Sequence, residues 1–128
     1  MSQAFILILR GNQIQRVEYI RKIIDPKWGM KVKMLKILTP KGELVCRHGS
    51  IIRKIIRKAF LCNQIQANFN KWYSELIQKL HENPDEVNKM LTEMFQKCDF
   101  VLKVRRRDNA LIIEDILERV TTLDEYFP

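Results

Sequence analysis

The four residues Thr39-Pro40-Lys41-Gly42 constrain this chain more than any others. Proline presets the backbone early in a turn and glycine relieves it late, so the chain reverses there. The flanking runs, Val32 to Leu38 and Glu43 to Arg47, are rich in apolar residues and read as two strands of a hairpin. That hairpin commits part of the chain to a sheet, against which the other segments pack.

Ala4 to Arg10 reads as a buried strand closed by Gly11. After it, Ile14, Val17, Ile20, Ile23 and Ile24 recur at helical spacing until Asp25-Pro26, with Asn12 as a candidate cap. A strand entered through a Gly11-Asn12 turn competes with that helix, but Val17 breaks the period of two. Lys27-Trp28-Gly29 is a turn. Ser50 is a candidate cap for a helix with Ile51, Ile52, Ile55, Ile56, Ala59 and Phe60 on its apolar face. Ile65, Phe69, Trp72, Leu76 and Leu80 continue the helical stripe past a break near Asn63. Pro84, Asp85 and Glu86 start another helix, whose apolar positions are Val87, Met90, Leu91, Met94, Phe95 and Cys98. Phe100 to Arg106 alternates as a strand and ends in Arg105-Arg106-Arg107; Asp108-Asn109 turns the chain. Ile113, Ile116, Leu117 and Val120 suit a last helix, with a return strand over Ala110 to Ile113 as the alternative.

The expected fold is therefore α+β: a small mixed or antiparallel sheet with helices packed on one side, in the order β-α-β-β-α-α-β-α. This order contains a split βαβ, ferredoxin-like arrangement. At 128 residues the chain suits one domain over 1–122, followed by an acidic, aromatic tail over 123–128 that is mobile unless docked. A hydrophobic fraction of 46% with 30% charged residues is an ordinary soluble composition. No apolar run reaches membrane-spanning length, and the opening residues do not resemble a secretory signal. Three widely spaced cysteines imply no disulfide framework and favour a reducing, intracellular setting, cytoplasmic or nuclear.

Charge carries the functional signal. Residues 1–108 hold 22 Lys/Arg against 10 Asp/Glu, whereas 109–128 hold one Arg against five acids, within an overall charge of +8. A basic body suggests an anionic partner, and the acidic end suggests folding back onto the body or onto a second subunit. Arg53, Lys54, Arg57 and Lys58 lie opposite the apolar face of their helix and are spaced to meet successive phosphates. Lys103, Arg105 and Arg107 share one face of a strand, with Arg106 on the other. Aligned cations repel one another, so a visiting anion explains them; a charge-protected sheet edge is the rival. Lys31 and Lys33 share a face while Lys36 lies on the other, so they make no clean patch. Trp28, in a turn beside Gly29, is the aromatic residue best placed to stack on a base, whereas Trp72 belongs to an apolar stripe.

The catalytic and metal signals are poor. Cys46, His48, Cys62 and His81 match no compact zinc spacing, and Cys46 with His48 lacks a third group. Asp85 and Glu86 suit a helix start, while Glu114, Asp115 and Glu118 suit a solvated helix face. The four glycines form no phosphate loop, so neither metal nor cofactor is expected. The chain reads as a non-enzymatic DNA- or RNA-binding protein that contacts phosphates through its basic helix and strand. The alternative is a small regulatory or inhibitory interaction module, such as a virus encodes, that binds an acidic protein. Homodimerisation suits either reading.

Overall fold

The computed structural model describes residues 3–117. The elements are β1 (Ala4–Leu9), β2 (Arg16–Asp25), β3 (Met30–Thr39), β4 (Gly42–Cys46), α1 (Gly49–Cys62), α2 (Phe69–Glu82), α3 (Pro84–Gln96), β5 (Phe100–Arg107) and β6 (Ala110–Leu117). The strands form one six-stranded sheet in the order β1-β5-β6-β4-β3-β2. Neighbours pair antiparallel except β4 with β6, which run parallel, so the sheet is mixed. The fold is α+β, with the helices on one face. Val17, Tyr19, Leu35, Ile37, Leu102, Val104 and Ile113 turn inward and join Ile52, Ile55, Ile56, Leu91 and Phe95 of the helices in one core.

Two segments with helical spacing are strands. The segment after Gly11 makes a single 3-10 turn over Gly11–Gln13 and then becomes β2. Ile14 is buried in the crossing segment, and regular alternation begins only at Val17 and Tyr19, which disguises the period of two. The second misleading segment is β6, which replaces the expected last helix. A register shift opposite Lys103/Val104 lets Ile113 and Ile116 both face the core although they are three residues apart. A β-bulge thus imitates helical spacing. With no helix after β1, the ferredoxin-like arrangement does not form. Val120 and the acidic, aromatic tail lie outside the described residues.

The other expected elements are present, with small shifts. The hairpin at Thr39–Gly42 joins β3 to β4, and β3 starts earlier than expected, at Met30. Helix α1 starts at Gly49, and the His48 carbonyl rather than the Ser50 side chain accepts its first N–H groups. The stripe breaks after Cys62, and Asn68 caps α2 by accepting from the Lys71 N–H at 3.1 Å. Asn83 caps α3 ahead of Pro84.

The connection from Leu9 to Arg16 joins the two edge strands of the sheet. Five strand spacings in a flat sheet span about 24 Å. The connection includes a 3-10 turn and reaches only about 20 Å. The sheet therefore curls around its helix side, and the crossing segment presses against the end of α3. A Cβ on Gly11 would fall onto the carbonyl oxygens of Gln96 and Cys98, so only glycine fits there. Helix α3 also closes the open edge of β2 with side chains one turn apart. Asn88 Oδ1 accepts from Tyr19 N–H at 2.8 Å, Thr92 Oγ1 accepts from Val17 N–H at 2.9 Å, and Gln96 Nε2 donates to Ile14 O at 3.0 Å. The backbone groups of Ile14, Val17 and Tyr19, which would otherwise invite edge pairing there, are satisfied internally.

Cys62 and Cys98 form a disulfide from the end of α1 to the connection between α3 and β5, with Cα atoms 6.0 Å apart. The expectation of no disulfide is overturned, because wide sequence spacing places no limit on distance in the fold. Cys46 is the free, buried cysteine among the described residues.

Candidate nucleic-acid interface

The four α1 cations split between two flanks. Arg53 and Arg57 lean toward α2. The Arg53 guanidinium lies 4.9 Å from the Phe69 ring centre and 5.8 Å from Tyr73, and it donates to Asn70 Oδ1. Arg57 lies 6.0 Å from the Phe69 ring. Lys54 faces outward, while Lys58 acts electrostatically on Asp99, on the other flank.

The β5 cations lie elsewhere. Leu102 and Val104 point into the core, so Lys103, Arg105 and Arg107 point away from the helices. Their anion comes from the chain itself. Glu114, put on the same face by the β6 bulge, accepts from Arg105 Nε and lies 4.0 Å from Lys103 Nζ. The Arg105 hydrogen bond is the main reason its carboxyl titrates below the ordinary range. Arg106 is on the opposite face, lining a hollow with Phe5, Leu7, Lys41 and Leu111. The α1 and β5 clusters therefore do not share one surface.

A third cluster does join α1, and the sequence reading missed it. β4 pairs with β3 only over Leu35–Thr39. Beyond Leu35, β2 and β3 continue as a two-stranded arm of five residue pairs, about 17 Å long. The arm carries Arg21, Lys22, Lys27, Lys31 and Lys33 against a single acid, Asp25. Asp25 Oδ1 is occupied in the turn, accepting from the N–H groups of Lys27 at 2.9 Å and Trp28 at 3.2 Å. Arg21 pairs across the arm with Lys33, and Ile23 with Lys31, all on the helix side. Together with Lys22, Val32 and His81 they line a hollow of about 100 Å³.

Tyrosines connect the arm to α1. Arg21 donates to the Tyr19 hydroxyl at 3.1 Å, and the Tyr19 and Tyr73 hydroxyls share a hydrogen bond of 2.9 Å. Burial, then the bond to Tyr19, pushes the Tyr73 phenol far above the usual tyrosine range, so it stays neutral. Lys33 reaches the first turn of α1, where a Cβ on Gly49 would lie 3.3 Å from its side chain. Arg21, Arg53 and Arg57 thus border one aromatic seam, with Lys33 beside it against α1 and Lys31 farther along the arm. The strand over Arg16–Asp25, in place of the expected helix, is what reveals this cluster.

The aromatic residues divide as expected. Trp72 packs 5.0 Å from Phe60, whereas Trp28 at the arm tip is 75% exposed. The candidate metal and nucleophile residues are dispersed or engaged. Cys62 is bonded to Cys98, and His81 lies at the arm base. Burial pushes the Cys46 thiol up, away from reactivity. Ser50 Oγ and His48 Nδ1 lie 2.8 Å apart, but among the described residues no carboxylate orients the ring. No helix among the described residues is long and apolar enough to cross a membrane. No family model matches the chain, and no curated protein or solved structure is significantly similar to it.

Proposed function

We propose that this protein binds nucleic acid through backbone phosphates, without catalysis, on the surface shared by the β2–β3 arm and α1. The observation that carries this reading is the arm itself: five cations face one carboxylate that its own turn occupies. Arg53 and Arg57 extend the positive surface past the arm base, with Lys54 beside them. Lys103, Arg105, Arg106 and Arg107 contribute less, since Glu114 already answers part of their charge. Such binding is sequence-tolerant and depends on counterion release. With about five phosphates neutralised, a fourfold rise in salt weakens binding by on the order of a hundredfold. Fluorescence anisotropy with labelled DNA and RNA at two salt concentrations tests this; absence of binding at low salt refutes it. On the same proposal the protein works where nucleic acid is met, in the cytoplasm or nucleus. In a reducing cytoplasm Cys62 and Cys98 are held as thiols.

A second reading, a protein-interaction module, draws on the outer sheet face. Ile6 and Ile8 of edge strand β1 are 54% and 50% exposed, beside half-buried Val101 and exposed Leu117. An exposed apolar edge suits pairing with a second copy. Light scattering across a concentration series tests it, with a constant monomer mass as the refuting result.

A further inference from the structure

The arm tip has a composition that phosphate contacts do not explain. Ten large hydrophobic side chains among the described residues are strongly exposed, and four of them, Ile23, Ile24, Trp28 and Met30, lie within eight residues at the tip. An arm meant only to carry charge gains nothing from them, and exposed apolar clusters mark contact sites. The turn also fixes the backbone that presents the indole. Asp25 accepts from the N–H groups of Lys27 and Trp28 through its side chain, and from Gly29 N–H at 2.7 Å through its carbonyl. Gly29 has a φ of +70°, which favours glycine and lets so tight a turn close. Lys27 Nζ lies 5.8 Å from the Trp28 ring centre, placing a cation beside the indole.

From this arrangement we infer that Trp28 is a stacking wedge that prefers unpaired bases, so the partner is single-stranded nucleic acid or a duplex with unpaired positions. The inference rests on the phosphate-binding reading. A base stacked on the indole puts its own phosphate within reach of Lys27, and the neighbouring phosphates run back along Lys31, Lys33 and Arg21. A perfect duplex keeps its base faces covered and offers the tip nothing to stack on. The cations favour a polynucleotide over a bilayer, since they continue from the tip along the helix side to Arg53 and Arg57. A bilayer seated on the tip would leave those two unused.

The test is anisotropy with a labelled single-stranded oligonucleotide and the matching perfect duplex. The proteins are wild type, Trp28→Ala, Trp28→Phe, and Arg53→Ala plus Arg57→Ala, each checked for native circular dichroism. The expected result is a loss of about tenfold or more in single-strand affinity for Trp28→Ala, from the lost base–aromatic stacking. Trp28→Phe recovers part of that loss, and duplex affinity changes by less than about twofold for either variant. Equal single-strand affinity of Trp28→Ala and wild type overturns the wedge; if the arginine variant is still weakened, phosphate binding stands without it. No binding to any nucleic acid overturns both. Co-sedimentation with phosphatidylglycerol vesicles and a blue-shifted Trp28 emission, without an oligonucleotide response, overturns both in favour of a membrane-seated tip.

Discussion

Asn88 is a small side chain on which the arm depends. It is 6% exposed, and its Oδ1 accepts the N–H of Tyr19, itself 2% exposed, at 2.8 Å. In Asn88→Ala that N–H loses its partner at a position water reaches poorly. A buried donor left unsatisfied costs about 1–3 kcal/mol. In a domain of this size each kcal/mol moves the melting temperature by about 3–6 °C. The expected fall is therefore about 3–18 °C, read by circular dichroism. The loss also has a location: the Tyr19 amide hydrogen exchanges faster in Asn88→Ala, while amides in β5 change only as global stability does. Thr92→Ala is destabilising for the same reason, since Val17, whose N–H Thr92 Oγ1 accepts, is fully buried. An Asn88→Ala protein within about 0.5 kcal/mol of wild type, with Tyr19 protection unchanged, refutes the claim that α3 anchors the edge of β2.

Reduction of Cys62–Cys98, which closes a loop of 36 residues, lowers stability by about 2–4 kcal/mol in denaturant titration. Thiol labelling of the folded, oxidised protein finds Cys46 unreactive until unfolding, and rapid labelling contradicts its burial. Asp99 and Glu114 both titrate below the ordinary carboxylate range, held there first by the Gly11 N–H and by Arg105 respectively. A depressed folded-state pKa gives stability that is complete above the unfolded value and lost as pH falls through the folded one. Stability therefore declines below about pH 4, and Asp99→Asn flattens that acid limb; an unchanged limb contradicts the assignment.

Much of the fold is legible in local chemistry. Pro40 and Gly42 announce the β3–β4 turn, and Asn83-Pro84 announces the start of α3. The misreadings have physical causes. A bulge at Glu114 and Asp115 gave β6 helical spacing, and Ile14 in the crossing segment hid the alternation of β2. Those errors also concealed the candidate interface. Read as a helix, residues 14–24 scatter Arg21 and Lys22; read as a strand, they set Arg21 against Lys33. The cation cluster on β5 was visible, but its carboxylate partner was not, because Glu114 reaches Arg105 only through the register of β6. The polar stripe Asn88, Thr92 and Gln96 has clear four-residue spacing, but nothing local says that a strand edge lies against it.

The proposed interface sets the arm and α1, rather than the outer face of β5, against nucleic acid. One measurement compares Arg53→Ala plus Arg57→Ala with Lys103→Ala plus Arg107→Ala, titrated against the same labelled single strand at low salt. The first pair is expected to weaken binding by about tenfold or more, with a shallower salt slope, and the second to change it by less than about threefold. Loss of binding in the β5 pair with none in the α1 pair contradicts it.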